Sequence, residues 1–150
     1  MYNSNAKPIT ILMADDDEDD RILTQDALKE SRVRNSLFCV EDGGELLEYL
    51  RREGKYSDEK KSPRPGLILL DLNMPRKDGR EALKEIKADP ELKNIPVVIL
   101  TTSVQEEDKV KGYNLGAASY IAKPVNFEGL VELMKVLGRY WIEFVELPNE

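Results

Sequence analysis

The chain has 150 residues, enough for one domain that buries about 70% of the surface its unfolded form exposes. Its 22 basic and 29 acidic side chains leave a net charge of −7, which disfavours binding to a phosphate backbone. There is no histidine and one cysteine, Cys39, which excludes a Ser-His-Asp triad, a histidine-ligated zinc site, a phosphohistidine carrier and an internal disulfide.

The N-terminus lacks the apolar run of a signal peptide, and no stretch approaches the roughly 20 apolar residues of a membrane span. The expectation is a cytoplasmic protein with neither membrane nor nucleic-acid partners.

Along the chain, short apolar runs alternate with segments of helical period. Residues 9–14 (ITILMA) read as the first strand. A helix from Asp20 to about Ser31 follows, with Leu23, Ala27 and Leu28 inward. Residues 37–40 (LFCV) form the second strand, after which Asp42 and Glu45 make a capping-box pattern for a helix carrying Leu46, Leu47 and Leu50. The charged, proline-bearing stretch 53–66 reads as an exposed insertion at the end of the sheet opposite the strand C-termini.

Residues 67–70 (LILL) are the third strand, and Gly79, Ala82, Leu83 and Ile86 line one face of the next helix. Residues 95–100 (IPVVIL) make the fourth strand, 106–115 a more polar helix, and 119–122 (SYIA) the fifth strand. Asn126 caps a last helix running to about Leu147, before Pro148 stops it. Three of the strands are nearly continuous in apolar residues rather than alternating, as strands buried on both faces are. Five strands and five helices in alternation predict an α/β doubly wound parallel sheet with helices on both faces.

Ligand sites in such sheets lie beyond the carboxyl ends of the strands. The first strand leads into Asp15 and Asp16, the third into Asp71, the fourth into Thr101, and the fifth ends one residue before Lys123. Carboxylates so close repel one another unless a cation joins them. Hard oxygen ligands at a wet edge suit Mg2+, beside which an Asp can act as nucleophile toward a phosphoryl group. Lys123 adds a second cation and Thr101 a hydroxyl donor for a phosphoryl oxygen. The chemistry these residues point to is phosphorylation of Asp71.

The same residues carry a resemblance. Asp15-Asp16 after ILMA, Asp71 in LLDLNMP followed by Asp78-Gly79, Thr101 in PVVILT, and Lys123-Pro124 in SYIAKP resemble the receiver domain of two-component response regulators. The likeness spans about residues 9–138 of a single domain, 1–150, with an extended C-terminal helix. It implies a flavodoxin-like fold with strand order 2-1-3-4-5, and Asp71 as acceptor of a phosphoryl group from a sensor histidine kinase. It further implies Mg2+ on Asp15, Asp16, Asp71 and the backbone carbonyl of Asn73, Lys123 paired with the acceptor, and Thr101 with Tyr120 as a switch pair. A cis Lys123–Pro124 bond belongs to the same implication.

Other readings compete. Residues 17–20 of the acidic run 15–20 (DDDEDD) suit a solvated helix start. A calcium loop places Asp15, Asp17 and Asp19 at ligand positions, but puts Asp20 where the turn needs Gly and has a strand before it. A magnesium-dependent phosphohydrolase would want a second Asp where Asn73 stands. A phosphorylation-independent scaffold is disfavoured by the complete residue set.

Too few residues follow Gly138 for an output module, so the expectation is that the signal leaves through a surface, to a downstream protein that the sequence does not name. Leu130, Leu133, Met134, Leu137, Trp141 and Phe144 form an apolar stripe that Val131, Val136, Tyr140 and Val145 widen, which suits either a homodimer or a slightly long helix folded back on its own domain. The ending RYWIEFVELP resembles stand-alone regulators that pair with bacterial phytochromes, particularly in cyanobacteria, and so implies a light-regulated kinase as donor.

Overall fold

The computed structural model describes residues 9–31, 35–72, 79–101, 116–124 and 126–139, with the backbone alone at 101 and 139. Five strands, β1 (Thr10–Ala14), β2 (Ser36–Val40), β3 (Leu67–Asp71), β4 (Val97–Thr101) and β5 (Ser119–Ala122), form one parallel sheet in the order β2-β1-β3-β4-β5. Ala14 lies opposite Val40 on one side and Leu70 on the other. The strand order therefore reverses beside β1, and the crevice this opens lies between the ends of β1 and β3.

Strand alternation divides the core into two layers. Leu12, Ala14, Ile68, Leu70 and Ile99 pack with Leu46 and Leu47 of α2 (Gly43–Leu50) and with Ala82, Leu83 and Ile86 of α3 (Gly79–Ala88). Ile11, Met13, Leu67, Leu69, Val98 and Leu100 pack with Ala27 and Leu28 of α1 (Glu18–Glu30) and with Val131, Met134 and Leu137 of α4 (Phe127–Arg139). Both faces of the sheet are covered, which is why the central strands are apolar at consecutive positions.

The expected helix count is corrected: four α-helices and one 3-10 turn (Gly54–Tyr56) accompany the sheet among the described residues, not five α-helices. The fifth expectation, 106–115, lies outside the described residues. It is the stretch whose apolar face is weakest in the sequence.

The helix starts show their causes. Asp17 caps α1 by accepting the N–H groups of Asp19 and Asp20 (2.9 and 3.3 Å), so the helix begins before the expected Asp20. That phase leaves Leu23, expected inward, 44% exposed and buries Thr24, whose hydroxyl donates to the Asp20 carbonyl at 2.7 Å. Asp42 caps α2 through the Glu45 N–H, and the Glu45 carboxylate accepts from Glu41, one residue earlier than a capping box would have it. Asn126 accepts the Gly129 N–H at 2.7 Å and caps α4, whose expected continuation toward Leu147 lies outside the described residues.

The 53–66 stretch lies at the far end of the sheet, where the Gly66 N–H donates to Thr10. Its middle is exposed, but its flanks are fixed. Tyr49 donates to the Pro63 carbonyl at 2.9 Å, Tyr56 donates to Glu45 at 2.6 Å, and Ser62 is buried.

Candidate functional site at the carboxyl edge of the sheet

Parallel pairing brings the strand ends to one edge, because Ala14 aligns with Leu70, Asp71 with Leu100 and Thr101 with Ala122. The residues leaving β1, ending β3 and following β5 therefore converge. The Lys123 ammonium donates to Asp15 Oδ2 at 2.9 Å, Asp20 Oδ2 at 3.0 Å and Asp71 Oδ2 at 3.2 Å. Asp15 and Asp71 are buried, Asp16 is exposed, and oxygens of these three come within 4.8 Å of one another. This donor set, two buried carboxylates and one facing water, can coordinate a hard divalent cation that keeps part of its water shell.

The backbone holds Asp15 from both sides. Its N–H donates to the Val40 carbonyl at 3.1 Å, continuing the β1–β2 ladder past the last strand residue. Its Oδ1 accepts the Asp17 N–H at 2.9 Å, and its carbonyl accepts from Arg21 at 2.7 Å. Arg21 also pairs with Glu41 at 3.5 Å, joining the first turn of α1 to the β2–α2 connection.

Burial pushes the Asp15 carboxyl above its ordinary range, further than the Asp17 amide and Lys123 pull it down. Burial alone would lower Lys123, but its bonds to Asp15 and Asp20 and the charge of Asp71 outweigh that and raise it. The ammonium stays charged throughout the physiological range, while Asp15 is strained as an anion, which favours adding a divalent cation here.

Gly79 is fixed by sterics. A Cβ there would lie 2.6 Å from the Asp71 carbonyl oxygen and 2.7 Å from Leu72 Cα, while the Gly79 N–H donates to the Leu72 carbonyl at 3.0 Å. The start of α3 thus rests directly on the residue that carries the central carboxylate.

Of the residues expected at the site, Asp15, Asp16, Asp71 and Lys123 are brought together. Thr101 ends β4 at the same edge, its side chain outside what is described, and Asn73 and Asp78 lie outside the described residues altogether. Tyr120 is half-buried on β5 against the layer containing Ile99.

The Lys123–Pro124 bond is trans, which corrects the cis expectation. Trans is the lower-energy form even before proline, and the lysine reaches its three carboxylates through it. Asp20, read from sequence as part of a solvated helix start, proves to be a partner of Lys123. Recognising Asp17 as the cap would have placed Asp20 in the first turn, facing the strand ends. A cavity of about 240 Å³ adjoins the ammonium, with Asp20 and Lys123 at its polar end and Leu23, Phe127 and Leu130 on its apolar wall.

The model of the response regulator receiver domain matches residues 11–135. The chain belongs to this family. It is 42% identical over 148 residues to the response regulator Rcp1 of Synechocystis sp. (strain PCC 6803), with 99% of each chain covered. Among solved structures, the phosphorylated cyanobacterial phytochrome response regulator RcpA superposes with a TM-score of 0.83 at 43% identity, covering 95% of this chain and 100% of that one. The Mn2+-bound form of response regulator Rcp1 gives a TM-score of 0.79 at 43% identity, with the same coverage.

This receiver domain is therefore a phospho-accepting component of two-component phosphorelay signalling, fed by a sensor of the histidine-kinase type. It is not an enzyme beyond the phosphorylation and dephosphorylation of its own aspartate. Among the described residues no helix is long and apolar enough to cross a membrane.

Proposed function

We propose that Asp71 is the phosphoryl acceptor, that Mg2+ is the cation, and that the donor is a histidine kinase coupled to a phytochrome. The observation that carries the acceptor assignment is the Lys123 ammonium 3.2 Å from a buried Asp71 carboxylate, at the centre of the acidic cluster. The cation's ligands in this reading are Asp15, Asp16, Asp71 and the backbone carbonyl of Asn73. Bound there, Mg2+ would neutralise charge developing on the transferring phosphoryl oxygens.

The chain's own groups do the rest. An Asp71 carboxylate oxygen attacks phosphorus, the bond from phosphorus to the donor histidine nitrogen breaks, and that nitrogen keeps the electron pair. Lys123 donates to the acceptor before transfer and to a phosphoryl oxygen afterwards, and the Thr101 hydroxyl donates to another. Thr101 and Tyr120 form the switch pair, with the ring moving behind the hydroxyl.

The phytochrome assignment is supported by 43% identity to RcpA across nearly the whole chain. The chain acts as one domain, 1–150 with its core at 9–138, and pairs with a second copy through its C-terminal helix.

The test is a phosphotransfer profile against the histidine kinases of the host, run with the wild type and Asp71→Asn in Mg2+. Label transferred from a phytochrome-linked kinase to the wild type alone is expected. Equal labelling of Asp71→Asn rejects the acceptor, and preferred labelling by an unrelated kinase rejects the phytochrome.

A further inference from the structure

An ammonium has three N–H donors, and Lys123 has three carboxylates within donating distance: Asp15, Asp20 and Asp71. With Asp71 as acceptor, the bond to Asp71 is exchanged for one to a phosphoryl oxygen, which is joined through phosphorus and so lies beyond the carboxylate. The ammonium must shift to follow it, and one of its two other bonds must give.

The three partners differ in what release would mean. Asp15 is wholly buried, and letting go would leave an anion without water to replace the ammonium. Asp71 trades its own bond for the one to the phosphoryl group it carries. Asp20 is the exposed partner, with 38% of its side chain accessible and the adjoining cavity open beside it, so water can take the place of Lys123.

The Asp20 backbone is held independently. Its N–H donates to Asp17 and its carbonyl accepts from Thr24, so the side chain can release without unwinding α1. We propose that Asp20 is a positioning residue for phosphoryl transfer, a latch that holds Lys123 in the unphosphorylated protein and yields it to the phosphoryl group. The proposal rests on the reading of Asp71 as acceptor. It means that phosphorylation frees a carboxylate on the first turn of α1, on the surface beside the cavity.

The experiment titrates the full-length chain with beryllofluoride in excess Mg2+, following backbone amide shifts. Asp20→Asn keeps the shape but not the charge, and is expected to bind about threefold more tightly than wild type, the scale of a half-exposed ion pair. Asp19→Asn removes the same charge from the neighbouring exposed position and is expected to leave the affinity unchanged. Asp20→Glu keeps a carboxylate within reach of the ammonium and is expected to return the affinity to near wild type. If Asp20→Asn melts early, Asp20→Ser serves for the same comparison.

Binding by Asp20→Asn no tighter than by Asp19→Asn overturns the latch, as does equal tightening by Asp20→Glu. A wild type that does not respond, or an Asp71→Asn variant that responds equally, overturns the acceptor reading and the latch with it.

Discussion

At Gly79 the chain passes closer to the end of β3 than a side chain allows. A methyl group there meets the carbonyl oxygen of Asp71 at 2.6 Å, and neither that carbonyl nor Leu72 Cα is the yielding tip of a side chain. Gly79→Ala is therefore expected to lower stability by about 1–3 kcal/mol, the range of overpacked interiors. It should also weaken beryllofluoride binding, because the displaced backbone belongs to Asp71. A thermal melt and the same titration check both, and full stability with full affinity would contradict the steric account. At this scale much of the site was legible, since Asp15, Asp71 and Lys123 stand where apolar runs stop, and parallel strands carry their ends to one edge. The bond from Lys123 to Asp20 was not. It joins positions 103 apart and depends on α1 starting from the Asp17 cap, a shift of a few residues that turns a side chain from water toward the site.

Among the elements, the 3-10 turn Gly54–Tyr56 is held on α2 by charged bonds from Tyr56 and Lys55 to Glu45, whose strength depends on pH. Burial would raise the Glu45 carboxyl, but the Tyr56 hydroxyl, the Glu41 amide and Lys55 outweigh it and hold it below its ordinary 4.5. A lowered carboxylate stabilises the fold above its unfolded value, and the contribution disappears as pH falls through the folded value. Tyr56→Phe is expected to reduce stability by about 1 kcal/mol at neutral pH, with the gap to wild type narrowing on acidification as Glu45 takes up a proton. Urea unfolding at the two pH values measures this, and a gap independent of pH would show that the charge plays no part. The elements themselves were legible where short-range chemistry decides them, as with the Asp42 and Asn126 caps and the apolar face of α3. They were less so where the tertiary frame decides. Leu23 turns outward while Thr24 is buried, and the residue with φ 54° after α2 is Arg52, where glycine would be looked for.

For the whole molecule, association sets two forces against each other. α4 buries Val131, Met134 and Leu137 against the sheet, yet leaves Val136 58% and Phe127 39% exposed, and the sequence stripe continues into Tyr140, Trp141, Phe144 and Val145. Covering apolar surface with a second copy is favourable in proportion to the area removed from water. Against it, each chain carries a net charge of −7, so two copies repel. That repulsion is screened by salt: the Debye length falls from about 30 Å at 0.01 M to about 8 Å at 0.15 M. An apolar contact is not weakened over the same interval, so the proposed homodimer is expected to tighten as ionic strength rises. An interface held by ion pairs would loosen instead. Light scattering across a concentration series at the two salt levels reads the direction. Trp141→Asp, placing a charge within the stripe, is expected to give a monomer at both. A wild type that is monomeric throughout would remove the dimer, and one that dissociates with added salt would move its basis from the apolar stripe to charge pairing.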